Sequence, residues 1–332
     1  MEVLWLREED VKSLLTMDEA IVAVEKAFYD QATGRTQMPP KSYLYFSKYD
    51  GDLRTMPAYL EGQDIAGVKI VNVHSKNPDI GLPTVMALFT LISPRSGAPL
   101  AVMGATFLTA MRTGAAGALA ARLLARQNSR AVGMIGAGVQ ARAQLLGLSR
   151  HFQIEQVMIY DTSQERARSL EEDCRAFLDC EYMICAKPRE ACQCDILVTT
   201  TPSRRPVVED GWILPGTHIN AIGADARGKQ ELQSALTKRA RIFVDDMAQA
   251  VHSGEVNVPI TEGLLLPGDI YAQIGEVLAG KKPGRSDEQD ITIFDSTGLA
   301  IQDVAAGFVV YEKATRTGRG MKLPMAWSAE GQ

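Results

Sequence analysis

Ala131-Val132-Gly133-Met134-Ile135-Gly136-Ala137-Gly138-Val139-Gln140-Ala141 is the stretch on which the fold turns. Its first five residues form a short apolar run of the kind that fills a buried parallel strand. Gly136 to Ala141 follows as G-x-G-x-x-A, and the chain then reads as a helix to Leu148. Gly136 permits the tight turn, Gly138 lets backbone approach a pyrophosphate, and small Ala141 lets helix and strand pack closely. The free amides at the helix start, around Val139 and Gln140, would hold the phosphates. A second apolar run, Val157-Met158-Ile159-Tyr160, ends in Asp161. Asp161 lies 25 residues beyond Gly136, near the roughly 20-residue spacing of a ribose-binding acid. Strand, glycine turn, helix, strand and acid together predict a dinucleotide site.

Composition narrows the rest. The 332 residues suffice for two domains, and hydrophobic and charged contents of 46% and 23% are those of a globular protein. A net charge of −5 argues against a nucleic-acid partner and gives no reason to expect an anionic membrane surface. No apolar run approaches a membrane span, and the acidic start MEVLWLREED is unlike a signal peptide, so a cytoplasmic protein is expected. Cys174, Cys180, Cys185, Cys192 and Cys194 crowd one segment, but without a C-x-x-C pair or a nearby histidine. They read as reduced, partly core-packed thiols, and no metal site is expected.

Upstream, Thr16-Met17-Asp18-Glu19 is a capping box opening a helix through Tyr29. Strand signals follow at Tyr43–Phe46, Leu53–Ala58, Val68–Val73 and Thr84–Ile92, and the last should pair with Pro99–Met103 across Ser93–Gly97. Antiparallel strands before a βαβ series predict a separate α+β domain. Thr109–Ala125 is Ala-rich and helical. Strands at Asp195–Thr200, His218–Ala224, Arg241–Asp245 and Ile291–Phe294 continue the parallel series. The helix Leu299–Lys313 should cross back onto the first domain. The expected fold is α/β: a Rossmann, doubly wound parallel sheet over residues 114–301, plus a smaller α+β domain from residues 1–113 and 302–332. Disorder is expected at Lys281–Asp287 and in the C-terminal tail.

Ligands of such a sheet bind at the carboxyl ends of its strands. Thr199–Ser203, with Thr201 at its centre, could line the nicotinamide ribose; Ile222-Gly223-Ala224-Asp225 brings a carboxylate; Asp295-Ser296-Thr297-Gly298 follows the last strand. Each also suits ordinary strand-end and helix-cap chemistry. In the first domain, Lys69 interrupts the apolar run AGVKIV, Arg54 precedes Met56-Pro57, and Arg112 sits among small residues. A Lys and Arg cluster suits an α-carboxylate substrate, and a Lys desolvated beside cations loses pKa and becomes fit for proton transfer. Short strands do not reveal which face is exposed, so a surface position for Lys69 and a surface ion pair for Arg54 stay open.

The ordered segments QMPPK (37–41), DLRTMPA (52–58), GVKIVNVH (67–74), GLPTVMAL (81–88), MRTGAAGALAA (111–121), IGAGVQA (135–141), TTTPSRRPVV (199–208), GTHINAIGAD (216–225), GKQEL (228–232) and FDSTGLAIQDVA (294–305) carry a resemblance. Over nearly its whole length the chain resembles the ornithine cyclodeaminase and mu-crystallin family, and within it the archaeal-type alanine dehydrogenases. That resemblance implies a homodimer formed mainly through the first domain and a Rossmann domain that binds NAD. It makes Lys69 and Asp225 the proton-transfer pair, Lys41, Arg54 and Arg112 substrate contacts, and Thr113 and Ser296 cofactor contacts. The implied reaction is reversible oxidative deamination of L-alanine to pyruvate and ammonia. Relatives that cyclise ornithine, reduce ketimines, or merely bind nucleotide as crystallins are the alternatives. Cyclodeaminases carry an acid where Arg54 stands, and an Arg would repel ornithine's distal ammonium. Gly104 stands where relatives usually have an acid. Asp161 favours NAD by repelling a 2′-phosphate, while Arg166 nearby leaves NADP open as a secondary cofactor.

Overall fold

The computed structural model describes residues 1–325; the C-terminal tail expected to be disordered lies beyond them from residue 326. The chain divides into two compact units, one of Met1–Arg112 with the chain from Leu299 on, the other of Thr113–Gly298.

Why the second unit is a parallel sheet follows from its strands. Ala131–Ile135, Gln156–Tyr160, Ile196–Thr199, His218–Ala221 and Thr292–Asp295 are short, apolar and buried almost throughout, as strands covered on both faces must be. In space they run Glu181–Ile184, Gln156–Tyr160, Ala131–Ile135, Ile196–Thr199, His218–Ala221, Thr292–Asp295, Arg241–Val244, Ala272–Gln273. Every pair is parallel. The chain order reverses beside Ala131–Ile135, which opens the ligand crevice of doubly wound sheets at that strand's carboxyl end. Lys281–Asp287, expected to be disordered, is instead tied down. Arg285 donates to the Leu124 carbonyl (2.6 Å), the Gly216 carbonyl (3.0 Å) and the Asp290 carbonyl (2.6 Å), so one side chain fixes a polar segment that composition alone would leave loose.

The first unit holds a mixed eight-stranded sheet, ordered Met321–Pro324, Glu2–Leu6, Pro99–Gly104, Val85–Ile92, Ile65–His74, Gly51–Leu60, Thr36–Gln37, with Ser42–Phe46 also on Gly51–Leu60. The Val85–Ile92 and Pro99–Gly104 strands form the expected hairpin. The strands Glu2–Leu6 and Met321–Pro324 show no strand pattern in the sequence, because each is short and set by its neighbours. Burial alternates along Gly51–Leu60 and Ile65–His74, so one sheet face is core. The helices Met17–Ala32 and Ala300–Thr317 pack on each other, and the latter packs on the sheet. Thr16 and Glu19 make the capping box, and Lys313 reaches Glu19 at 2.8 Å. The opposite sheet face presents a cross-strand row of partly exposed side chains, mostly apolar: Val68 stands opposite Thr90, Thr90 opposite Val102, and Ile70 opposite Leu88. No helix among the described residues is long and apolar enough to cross a membrane.

Phe89 joins sheet to helix. Its ring lies where a Cβ on Gly67 (2.5 Å) or on Gly307 of the Ala300–Thr317 helix (2.4 Å) would sit. Gly307→Ala should therefore destabilise by about 1–3 kcal/mol through overpacking, despite Ala's better helix propensity. Denaturant melts of Gly307→Ala alone and with Phe89→Leu test this, the second change restoring part of the loss.

Candidate active site

Lys69 stands in the middle of Ile65–His74, directly across from Met56 and Phe89, on the core face. Its side chain is wholly buried. Water cannot solvate an ammonium there, so the protein must. Asp303, one turn into the Ala300–Thr317 helix, accepts from Lys69 Nζ at 2.8 Å. The same Asp303 oxygen lies 3.0 Å from Arg112 Nε, and Arg112 Nη1 donates to Gln302 at 2.7 Å. One carboxylate thus serves two buried cations. Burial first, then Arg112, pushes the Lys69 amine down to about 7, with Lys41 adding to the depression and Asp303 resisting it. A lysine that titrates near neutrality can both give and take a proton. Arg54 shares the Lys69 sheet face and is 4% exposed; it is not a surface residue. It meets Asp52 through two parallel bonds of 3.0 Å and lies over the Tyr43 ring. The first unit therefore gathers Lys69 and Arg112 on Asp303, with Lys41 near enough to act on Lys69, and pairs Arg54 with Asp52 on the same sheet face.

Position 104 explains itself locally. A Cβ there would meet the Glu8 side chain at 2.8 Å. Glu8 in turn accepts from the Thr106 and Phe107 amides, at 2.6 and 3.1 Å, and so caps the helix Thr106–Leu124 that carries Arg112. A carboxylate does stand beside position 104, contributed by residue 8.

In the second unit the glycine turn is formed as its spacing predicts. Gly136 has φ +96°, a left-handed value that suits glycine. Beside Gly138 nothing lies within 4 Å of where a Cβ would be. The helix Val139–Leu148 starts there with no side-chain cap, and the buried Gln140 Oε1 has no hydrogen-bond partner among the described residues. An open cradle and uncapped helix amides fit a bound dinucleotide phosphate; the Gln140 oxygen, an acceptor, is no partner for that anion. Asp161 ends Gln156–Tyr160 and accepts from the Ala137 amide at 2.9 Å and the Ser163 amide at 2.8 Å. The carboxylate expected at the ribose thus also fixes the turn. Thr113 is buried and its carbonyl accepts from Gln144. Ser296, also buried, follows Thr292–Asp295 and donates its amide to the Ala221 carbonyl at 3.0 Å. Thr201 follows Ile196–Thr199, and Asp225 follows His218–Ala221, half-buried and paired with Lys229 at 2.6 Å.

Sequence reading missed three partners: Asp52, Asp303 and Glu231. Asp303 left a trace, a charge inside the buried run Ala300–Gly307; the others sit in ordinary polar contexts. The cysteines divide between two apolar clusters, Cys174 in one and Cys185, Cys192 and Cys194 in another. Burial pushes the Cys174 and Cys192 thiols up to about 12, which makes them inert packing. His218 is a satisfied core residue, bonded to Thr292 and Asn220 and held near 3 by burial.

A glycine-turn parallel sheet joined to a unit with a buried lysine beside arginines defines a two-unit α/β protein of dinucleotide-dependent oxidoreductase type. The chain belongs to the ornithine cyclodeaminase/mu-crystallin family, whose model matches residues 1–318. An alanine dehydrogenase of Archaeoglobus fulgidus is 54% identical to it, across 97% of this chain and 98% of that protein. A Bacillus cereus Δ1-pyrroline-2-carboxylate reductase is 32% identical over 97% of this chain and 99% of its own. Among solved structures, an archaeal alanine dehydrogenase dimer with bound NAD matches with TM-score 0.93 at 53% identity, covering 98% of this chain and 100% of that one. The Thermococcus litoralis Δ1-pyrroline-2-carboxylate reductase with NADH and L-proline matches with TM-score 0.94 at 38% identity, over 97% and 100%.

Because Asp303 raises the Lys69 pKa, Asp303→Asn should lower it further. The limb of the kcat/KM–pH profile near pH 7 should move to more acid pH in that variant. A limb left in place would remove Lys69 as the titrating group.

Proposed function

We propose that this chain is an NAD-dependent alanine dehydrogenase, catalysing reversible oxidative deamination of L-alanine to pyruvate and ammonia. The observation that carries this reading is the 54% identity to an alanine dehydrogenase along almost all of both chains. In this reading the Thr113–Gly298 unit binds the dinucleotide and the other unit binds substrate. Gly136, Gly138, Val139 and Gln140 cradle the pyrophosphate, Asp161 takes the ribose and disfavours a 2′-phosphate, and Thr113, Thr201 and Ser296 contact the cofactor. The bound nicotinamide supplies the hydride acceptor for the α-carbon of alanine.

This chain's own groups do the rest. Arg112 and Lys41 attract the α-carboxylate. Neutral Lys69 takes a proton as the amine is oxidised to iminopyruvate, and Lys69 with Asp225 directs water onto that imine, which loses ammonia to give pyruvate. Arg54 excludes a second ammonium on the substrate. That favours alanine over ornithine and sets the cyclodeaminase reading second. The partly exposed apolar row of Val68, Ile70, Leu88 and Val102 is the contact surface with a second copy, in keeping with the dimeric archaeal relative. The five cysteines are free, a state that a reducing cytoplasm maintains.

NADH oxidation at 340 nm with pyruvate plus ammonium, beside L-ornithine with NAD assayed for proline, tests the reaction. Pyruvate-dependent oxidation without proline is expected; proline formation would overturn the role of Arg54. Asp225→Asn should abolish turnover while NADH still binds, and near-normal turnover would remove Asp225 from the chemistry. Ile70→Lys should yield a monomer in sedimentation velocity, and an unchanged dimer would place the interface elsewhere.

A further inference from the structure

The segment GKQEL holds Glu231, which none of the roles above uses. Its side chain is fully buried. One carboxylate oxygen accepts from the Thr201 amide at 2.6 Å. The other accepts from Thr199 Oγ1 at 2.7 Å and from the Gly223 amide at 2.8 Å. Those donors belong to the ends of two adjacent strands, Ile196–Thr199 and His218–Ala221. The first end carries Thr201. The second carries Asp225, two residues past Gly223.

Position 223 is shaped around this contact. A Cβ there would meet the Thr201 carbonyl at 2.1 Å and the Glu231 carboxyl carbon at 2.6 Å, so glycine lets backbone close on backbone with the carboxylate between. Glu231 is itself anchored from behind. Its amide donates to both oxygens of Glu255 at 3.0 Å, and its carbonyl accepts from the Val207 and Val208 amides. All three groups hydrogen-bonded to the carboxylate are donors. A carboxylate satisfies all three at once, whereas a carboxamide would turn its own N–H against one of them.

We propose that Glu231 is a positioning residue, a staple that fixes the Thr201 loop against the Asp225 loop. The inference rests on the roles given above to Thr201 and Asp225. Glu231→Gln should lower kcat at least tenfold and weaken NADH binding several-fold by fluorescence titration, with the KM for pyruvate changed less than twofold. Thr199→Val deletes only the hydroxyl donor and should give a smaller loss of the same kind, about threefold. Leu236→Ala, a buried core change in the same unit, supplies a variant of lowered melting temperature with kcat and NADH affinity near wild type.

Kinetic losses in Glu231→Gln no greater than in Leu236→Ala at matched destabilisation would overturn the proposal. If Glu231→Gln does not fold, unchanged kcat and NADH affinity in Thr199→Val overturn it equally. Failure of the underlying reading looks different. Asp225→Asn would then keep its turnover, while direct NADH binding would still judge the Thr201 side of the staple.

Discussion

An ammonium group buried without water is the constraint from which the first unit is built. Removing such an ion from solvent costs several kcal/mol, which a well-placed counter-charge and hydrogen bonds must offset. Among the described residues Lys69 is paired with Asp303, which it shares with Arg112. Two cations on one carboxylate leave the site short of negative charge. A substrate carboxylate arriving there would complete the balance, so the need to neutralise the core and the affinity for an amino acid are one electrostatic fact. Burial first, and then the same shortage through Arg112, lowers the Lys69 pKa, which links binding to proton transfer.

The second unit uses buried acids in the opposite way. Glu231, Asp245 and Glu255 sit at the carboxyl edge of the parallel sheet and accept from backbone amides of neighbouring loops. Asp295 at the end of its strand accepts from the Val256 amide and is pushed up to about 8, chiefly by burial. Loops have few backbone partners of their own. Side-chain carboxylates placed behind them give the crevice fixed walls without a further strand or helix.

How much of this could be read from the chain varies with the range of the interaction. The glycine turn, Asp161 and the strand hairpin rest on contacts between near neighbours, and spacing revealed them. Lys69 was conspicuous because an ammonium in an apolar strand violates a local rule. Its partner lies 234 residues away, and nothing in the strand points to it. Asp303 broke the apolar pattern of its helix, yet only tertiary packing pairs the two anomalies. The opposite held for Lys281–Asp287, where polar composition suggested disorder and one arginine at 285 imposed order through distant carbonyls. Glu231 gave no local sign, since a glutamate in GKQEL looks like surface.

The first unit is discontinuous, and that has a bearing on how the protein is made. On the ribosome the sheet strand carrying Lys69 emerges 234 residues ahead of Asp303 and its helix. Until that helix is made the lysine lacks Asp303 as its counter-ion, and the groove that Ala300–Thr317 fills lies open around Phe89. The intervening 186-residue unit, Thr113–Gly298, has all its own strands in hand before then. The nascent chain thus holds a finished nucleotide-type fold in its middle and an unfinished one at its start. Only the Ala300–Thr317 helix closes it, and a ribosome that stalls short of residue 303 leaves a chain whose apolar sheet face awaits cover.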